Sequence, residues 1–235
     1  MTDGEHIIGP AGLDVPRQPT ETSCGPTCLY GVYRHYGDDI EHAQVIEETS
    51  ELPTGGTLAV HLGAHALARG YRAKLYSLNL EVLDPSWFTT GADIADKLHK
   101  QATLRSDDKQ RLASRAYAEF LELGGEIELA DVTHDLIRRY LDQGIPLLAG
   151  VSATYLYRSP RERHDGTYDD LEGHPQGHFV VVGGYRGHDV LVQDPWHGPG
   201  RKGESRYWMP LRRFVQALVL GVLTYDGNLL VITRP

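Results

Sequence analysis

QPTETSCGPTCLYGVYRHYG, residues 18–37, decides how this chain is read. After Cys24, the residues Leu29, Val32, Tyr33 and Tyr36 fall at the three- and four-residue intervals of an apolar helix face. Pro26 lies in the first turn, where a missing N–H costs no hydrogen bond, and Gly37 supplies a stop. The spacing predicts a helix from Cys24 to Tyr36. Pro19 confines Gln18 to extended backbone, so a stiff segment leads into the helix. Cys24 then stands at the helix mouth, where unpaired N–H groups and the dipole favour an anion.

Cys24 and Cys28 are the only cysteines in 235 residues. Their spacing gives neither a disulfide framework nor a zinc-finger pattern. A disulfide inside one continuous helix is geometrically poor. Cys28 lies one turn beyond Cys24 on the same face and reads as packing, the usual fate of a free cysteine. Cys24, with the small Gly25 beside it, reads as a nucleophile.

A cysteine nucleophile needs a base and donors for the oxyanion formed on the attacked carbonyl. Gln18, six residues before Cys24, offers a side-chain amide that would act with the Cys24 backbone N–H. Of twelve histidines, His178 opens the apolar run HFVVVGGY and would be held by a sheet. Arg186-Gly187-His188 separates that run from DVLVQDP, which predicts a hairpin. The hairpin would return Asp194 to His178, where a carboxylate fixes the tautomer and supports an imidazolium. His174 and Trp196 flank these strands and are candidate substrate contacts.

Helices are expected at Thr57–Ala68, Asp131–Gln143 and Leu211–Leu218, and strands at Tyr71–Leu78, Pro146–Ser152 and Leu229–Thr233. Residues 80–125 read as a charged helical insertion, and residues 155–177 as a long aperiodic loop, a candidate lid. Helices dominate the first half and antiparallel strands the second, the pattern of an α+β domain. One domain is expected over residues 1–235.

The string at residues 18–37, with GHFVVVGGY and VQDPW, resembles the bacterial papain-like cysteine peptidases that process double-glycine leader peptides of bacteriocins. The resemblance implies a papain-like fold, a helical half carrying the nucleophile and an antiparallel half carrying His and Asp. It also implies a triad of Cys24, His178 and Asp194 with Gln18 as oxyanion donor, a peptide or amide substrate, and no cofactor. The best-known members are fused to transporter domains, whose motifs this sequence lacks. Release of the acyl group to water makes a hydrolase and capture by an amine makes a transferase; a non-catalytic peptide-binding module is the remaining alternative. A metal enzyme built on His174, His178, His188 and His197 has no supporting motif such as HExxH.

Composition narrows the classes further. The formal charge of −9 and the lack of a basic stripe argue against nucleic acid and anionic membranes. The first twenty residues show no signal peptide, and the longest apolar stretch, Phe214–Leu223, is too short to span a bilayer. A cytoplasmic enzyme is the expectation.

Overall fold

In this computed structural model, residues 7–53, 55–198 and 204–235 are described. The first elements are helices α1 (Cys24–His35), α2 (His42–Glu48) and α3 (Ala59–Ala68), then strand β1 (Arg72–Ser77). Helices α4 (Pro85–Thr89), α5 (Ile94–Leu104) and α6 (Asp108–Glu122) follow, then β2 (Glu126–Glu128), α7 (His134–Leu141) and β3 (Leu147–Ser152). The rest comprises α8 (Ala153–Tyr157), β4 (Gly177–Arg186), β5 (Asp189–Gln193), β6 (Arg206–Pro210), α9 (Leu211–Leu220), a 3-10 turn at Gly221–Thr224, and β7 (Asn228–Thr233).

The strands form one sheet in the order β2-β1-β7-β3-β4-β5-β6. Only β1 and β2 run parallel; the remaining neighbours are antiparallel. The last strand, β7, enters the middle of the sheet between β1 and β3.

Alternate residues of these strands enter two different cores. Leu148, Phe179, Val181 and Leu230 pack with Leu29, Leu62 and Phe120 of α1, α3 and α6. Their neighbours Leu147, Val180, Val182 and Leu229 pack with Ile137 of α7 and Phe214 of α9. With both faces covered, strands read as continuous apolar runs rather than alternating ones. Helices are therefore layered on both faces of one sheet, with Cys24 carried by the helical part and His178 by the antiparallel strands.

The charged segment 80–125 does more than decorate the surface. Helix α6 turns Ala113, Tyr117 and Phe120 inward, and Leu98 of α5 joins them in the core. Burying an aromatic side chain of this kind contributes about 1.5–3 kcal/mol. Phe120 fills the space left by Gly63 and Gly125, where a Cβ would overlap its ring. Segment 155–177 departs from the expectation of an aperiodic loop: its first residues finish α8, and it then folds back on itself through bridges of Glu162 to Tyr168 and His174.

Candidate active site

The segment before α1 is stitched to the end of β5. The Val15 N–H donates to Gln193 Oε1 (3.1 Å), and Gln193 Nε2 donates to the Leu13 carbonyl (2.8 Å). The Gln18 N–H then donates to the Pro195 carbonyl (3.0 Å). Ser23 is fully buried, and its hydroxyl donates to the Thr20 carbonyl (3.0 Å) while accepting from the Thr20 N–H (3.1 Å). This sets the entry to α1. Cys24, half-buried, is the first helical residue.

His178 is the second residue of β4, paired with Val151 of β3, and is buried. Its Nε2 donates to Asp194 Oδ1 (2.9 Å). Cys24 lies near enough to the ring to favour its charged form. Burial opposes a charged ring here, but the Asp194 carboxylate and Cys24 outweigh it, so the pKa of His178 lies well above that of a free imidazole.

Asp194 is fully buried, and sequence reading missed most of what holds it. Besides His178, the Tyr157 hydroxyl donates to Oδ2 (3.0 Å), the Tyr207 hydroxyl to Oδ2 (3.0 Å) and the Trp196 N–H to Oδ1 (3.0 Å). Several donors on one carboxylate offset the cost of burying its charge. Tyr207 lies on β6 opposite Val192, and Tyr157 ends α8; neither element was read from the sequence. Among 13 tyrosines, no local pattern marks these two.

Cys28 is fully buried and its Sγ donates to the Phe179 carbonyl (3.3 Å). Burial pushes its thiol pKa up, and Cys24 and Asp194 add to the shift. Both conditions make a thiol inert.

Gln18 is buried at the edge of the cleft. Its Nε2 donates to the carbonyls of Thr20 (2.8 Å) and Glu21 (3.2 Å), and its Oε1 has no partner. A donor role toward an oxyanion therefore requires the amide to release its longer bond, the one to Glu21.

A groove of about 240 Å³ opens beside His178, lined by Gln18, Glu21, Tyr157, Glu162 and Trp196 among others. Burial and then the nearby Glu21 raise the pKa of Glu162. His174 is not part of this lining: it lies with Arg163 and Glu172, its ring 5.3 Å from that of His164. Of the other histidines considered as metal ligands, His188 lies beside His134, the two rings tilted and 5.8 Å apart. Among the described residues no three His, Cys, Asp or Glu side chains are grouped to hold a metal ion. No helix among them is long and apolar enough to cross a membrane.

A sheet layered with helices, a helix-borne cysteine and a strand-borne histidine together define the papain-like cysteine peptidase fold. Residues 12–217 match the model of the Peptidase_C39 like family, and the chain belongs to that family. A candidate C39-like peptidase from Bacillus anthracis shares the fold at TM-score 0.51 and 12% identity, over 98% of each chain. A double glycine motif protease from an AMS/PCAT transporter, solved with its leader peptide, gives TM-score 0.47 and 15% identity over 97% of this chain and 98% of that one. The peptidase domain of Streptococcus ComA gives 0.45 and 14%, over 95% and 99%. No curated protein matches the sequence.

Proposed function

We propose that this protein is a cysteine peptidase that hydrolyses a peptide or amide bond through an acyl-enzyme on Cys24. The observation that carries this reading is the buried His178 ring, hydrogen-bonded to Asp194 (2.9 Å) and close enough to Cys24 for the thiol to act on its charge. His178 takes the thiol proton, and the sulfur adds to the substrate carbonyl carbon. The resulting oxyanion is met by the Cys24 N–H, which has no intrahelical acceptor, and by the Gln18 amide N–H once it releases the Glu21 carbonyl. The C–N bond then breaks as His178 returns its proton to the leaving amine, which leaves a thioester. Water, deprotonated by His178, adds to the thioester; the C–S bond breaks and releases the acid.

Asp194 orients the ring and offsets its charge, and Trp196 lines the groove on the His178 side. His178 delivers the proton to the leaving amine, so the groove that it lines receives that side of the substrate. Segment 155–177 supplies one wall of this groove through Tyr157 and Glu162. The described residues act as one catalytic domain, because segments far apart in sequence are woven into one sheet. Ile8 bridges to Tyr185, and β7 lies within the sheet.

The test is mass spectrometry of the protein mixed with peptide ester or amide substrates. A transient acyl adduct mapped to Cys24, and lost in Cys24→Ala, is expected. An adduct on another residue, or turnover that survives Cys24→Ala, would overturn the reading.

A further inference from the structure

Asp226, between the 3-10 turn and β7, is a buried carboxylate that this mechanism does not use. Three glycines make room for it. A Cβ on Gly177 would overlap Asp226 Oδ2, one on Gly150 would sit 3.0 Å from Oδ1, and one on Gly221 would sit 3.2 Å from the Asp226 Cβ. Gly177 directly precedes His178, so the carboxylate lies against the backbone that carries the catalytic imidazole.

The acid is poorly compensated where it lies. Among the described residues, the one hydrogen bond to its carboxylate comes from the Thr224 hydroxyl (2.8 Å). Asp194, by contrast, accepts from at least four donor groups. The charged and titratable groups around Asp226 are Lys109 and Tyr117 of α6 and His178 of β4. The Lys109 ammonium rests 4.5 Å from the centre of the Tyr225 ring and forms no salt bridge with Asp226. His178 in turn faces Asp194 from the end of β5, Cys24 from α1 and the Tyr157 ring of α8 at 5.8 Å. A neutral Asn would fill the Asp226 site at lower cost, because burying a weakly paired charge is unfavourable. Costly buried acids beside a cleft histidine are characteristic of functional sites.

We infer that Asp226 is a second carboxylate of the catalytic centre, a positioning residue that acts through His178 and supports its imidazolium from the Gly177 side. The inference rests on the peptidase reading above. Asp194 fixes the ring by direct contact, and Asp226 adds field without contact. Burial raises the pKa of Asp226 to about 7, against the opposing pull of Thr224, Lys109 and His178, so its charge is present only from neutral pH upward. The support that it gives the imidazolium is present over that same range.

The test is an NMR titration of 15N-histidine-labelled full-length protein, with the His178 signal assigned through His178→Gln. In Asp226→Asn, the His178 midpoint should fall by about one pH unit, with no loss of thermal stability at neutral pH. An unmoved midpoint would overturn the inference; so would destabilisation as the only effect. Should Asp226→Asn fail to fold, the reciprocal measurement decides. Linkage requires the Asp226 carboxyl midpoint, read by 13C, to rise in His178→Gln, and an unchanged value rejects the coupling. Alkylation of the parent protein separates the two claims. A Cys24 no more reactive than Cys28 defeats the peptidase assignment, whereas a reactive Cys24 with an unmoved His178 defeats only the role of Asp226.

Discussion

At the scale of single residues, the cleft is organised around Asp194 rather than around the sulfur. Its carboxylate accepts from His178, Tyr157, Tyr207 and the Trp196 N–H, so its orientation is fixed from four directions. Asp194→Asn would keep the shape but remove the charge, and it would set an amide N–H₂ against at least one hydroxyl donor. We expect hydrolysis to fall about 10²-fold or more, with Tyr207→Phe costing only severalfold; kcat/KM of the two variants checks the ranking. Equal losses in both would show that the tyrosine, not the carboxylate charge, is what matters. The residues proposed for the site, Gln18, Cys24, His178 and Asp194, can be picked out of the sequence because each has a local signature: a Gln-Pro lead, a helix mouth, the start of an apolar run and the end of its hairpin partner. The two tyrosines were not, because their role exists only once β6 and α8 have folded against β5.

At the scale of elements, helix α1 and the β4–β5 hairpin follow from local pattern, and the structure places them at Cys24–His35, Gly177–Arg186 and Asp189–Gln193. Short elements were harder to read. Strand β2 has three residues and β6 five, and β6 follows a segment rich in Gly and charge. Helix α2 buries only Val45 on its own length, so it shows no apolar face. The inward face of α6 was legible as helical spacing, but its place in the main core depends on Gly63 and Gly125 yielding room to Phe120. The start of β4 has a comparable steric requirement. Gly177→Ala would drive a methyl group into Asp226 Oδ2, and we expect a loss of about 1–3 kcal/mol for the overpacking. Denaturant unfolding measures it, and a loss below about 0.5 kcal/mol, the ordinary scatter of harmless substitutions, would contradict the packing described.

At the scale of the whole molecule, both strand faces are buried, so the continuous apolar runs of β3, β4 and β7 revealed strands but not which helices cover them. The position of β7 between β1 and β3 was likewise invisible, since nothing local in Asn228–Thr233 names its neighbours. Stability should carry the imprint of two buried ionisable groups with raised pKa values. For His178 the folded state favours the charged ring, so its contribution is full below the free value of 6.5 and is lost as pH rises through the higher folded value. For Asp226 the folded state favours the neutral acid, so stability is lost as pH climbs from 3.8 through about 7. Asp226→Asn should therefore stabilise the protein by about 1–2 kcal/mol at pH 8 and bring no gain near pH 4. Thermal or denaturant melts at both pH values test this, and a variant equally stable to the parent at pH 8 would contradict the burial of a weakly paired charge.

The central claim is that one of two cysteines a single helical turn apart is activated and the other is inert. Residue-resolved alkylation of the folded protein near neutral pH, read by mass spectrometry, tests it most directly. The account predicts modification of Cys24 at least about 10²-fold faster than of Cys28, with that advantage lost in His178→Ala. Preferential labelling of Cys28, or a Cys24 rate indifferent to His178→Ala, would contradict it.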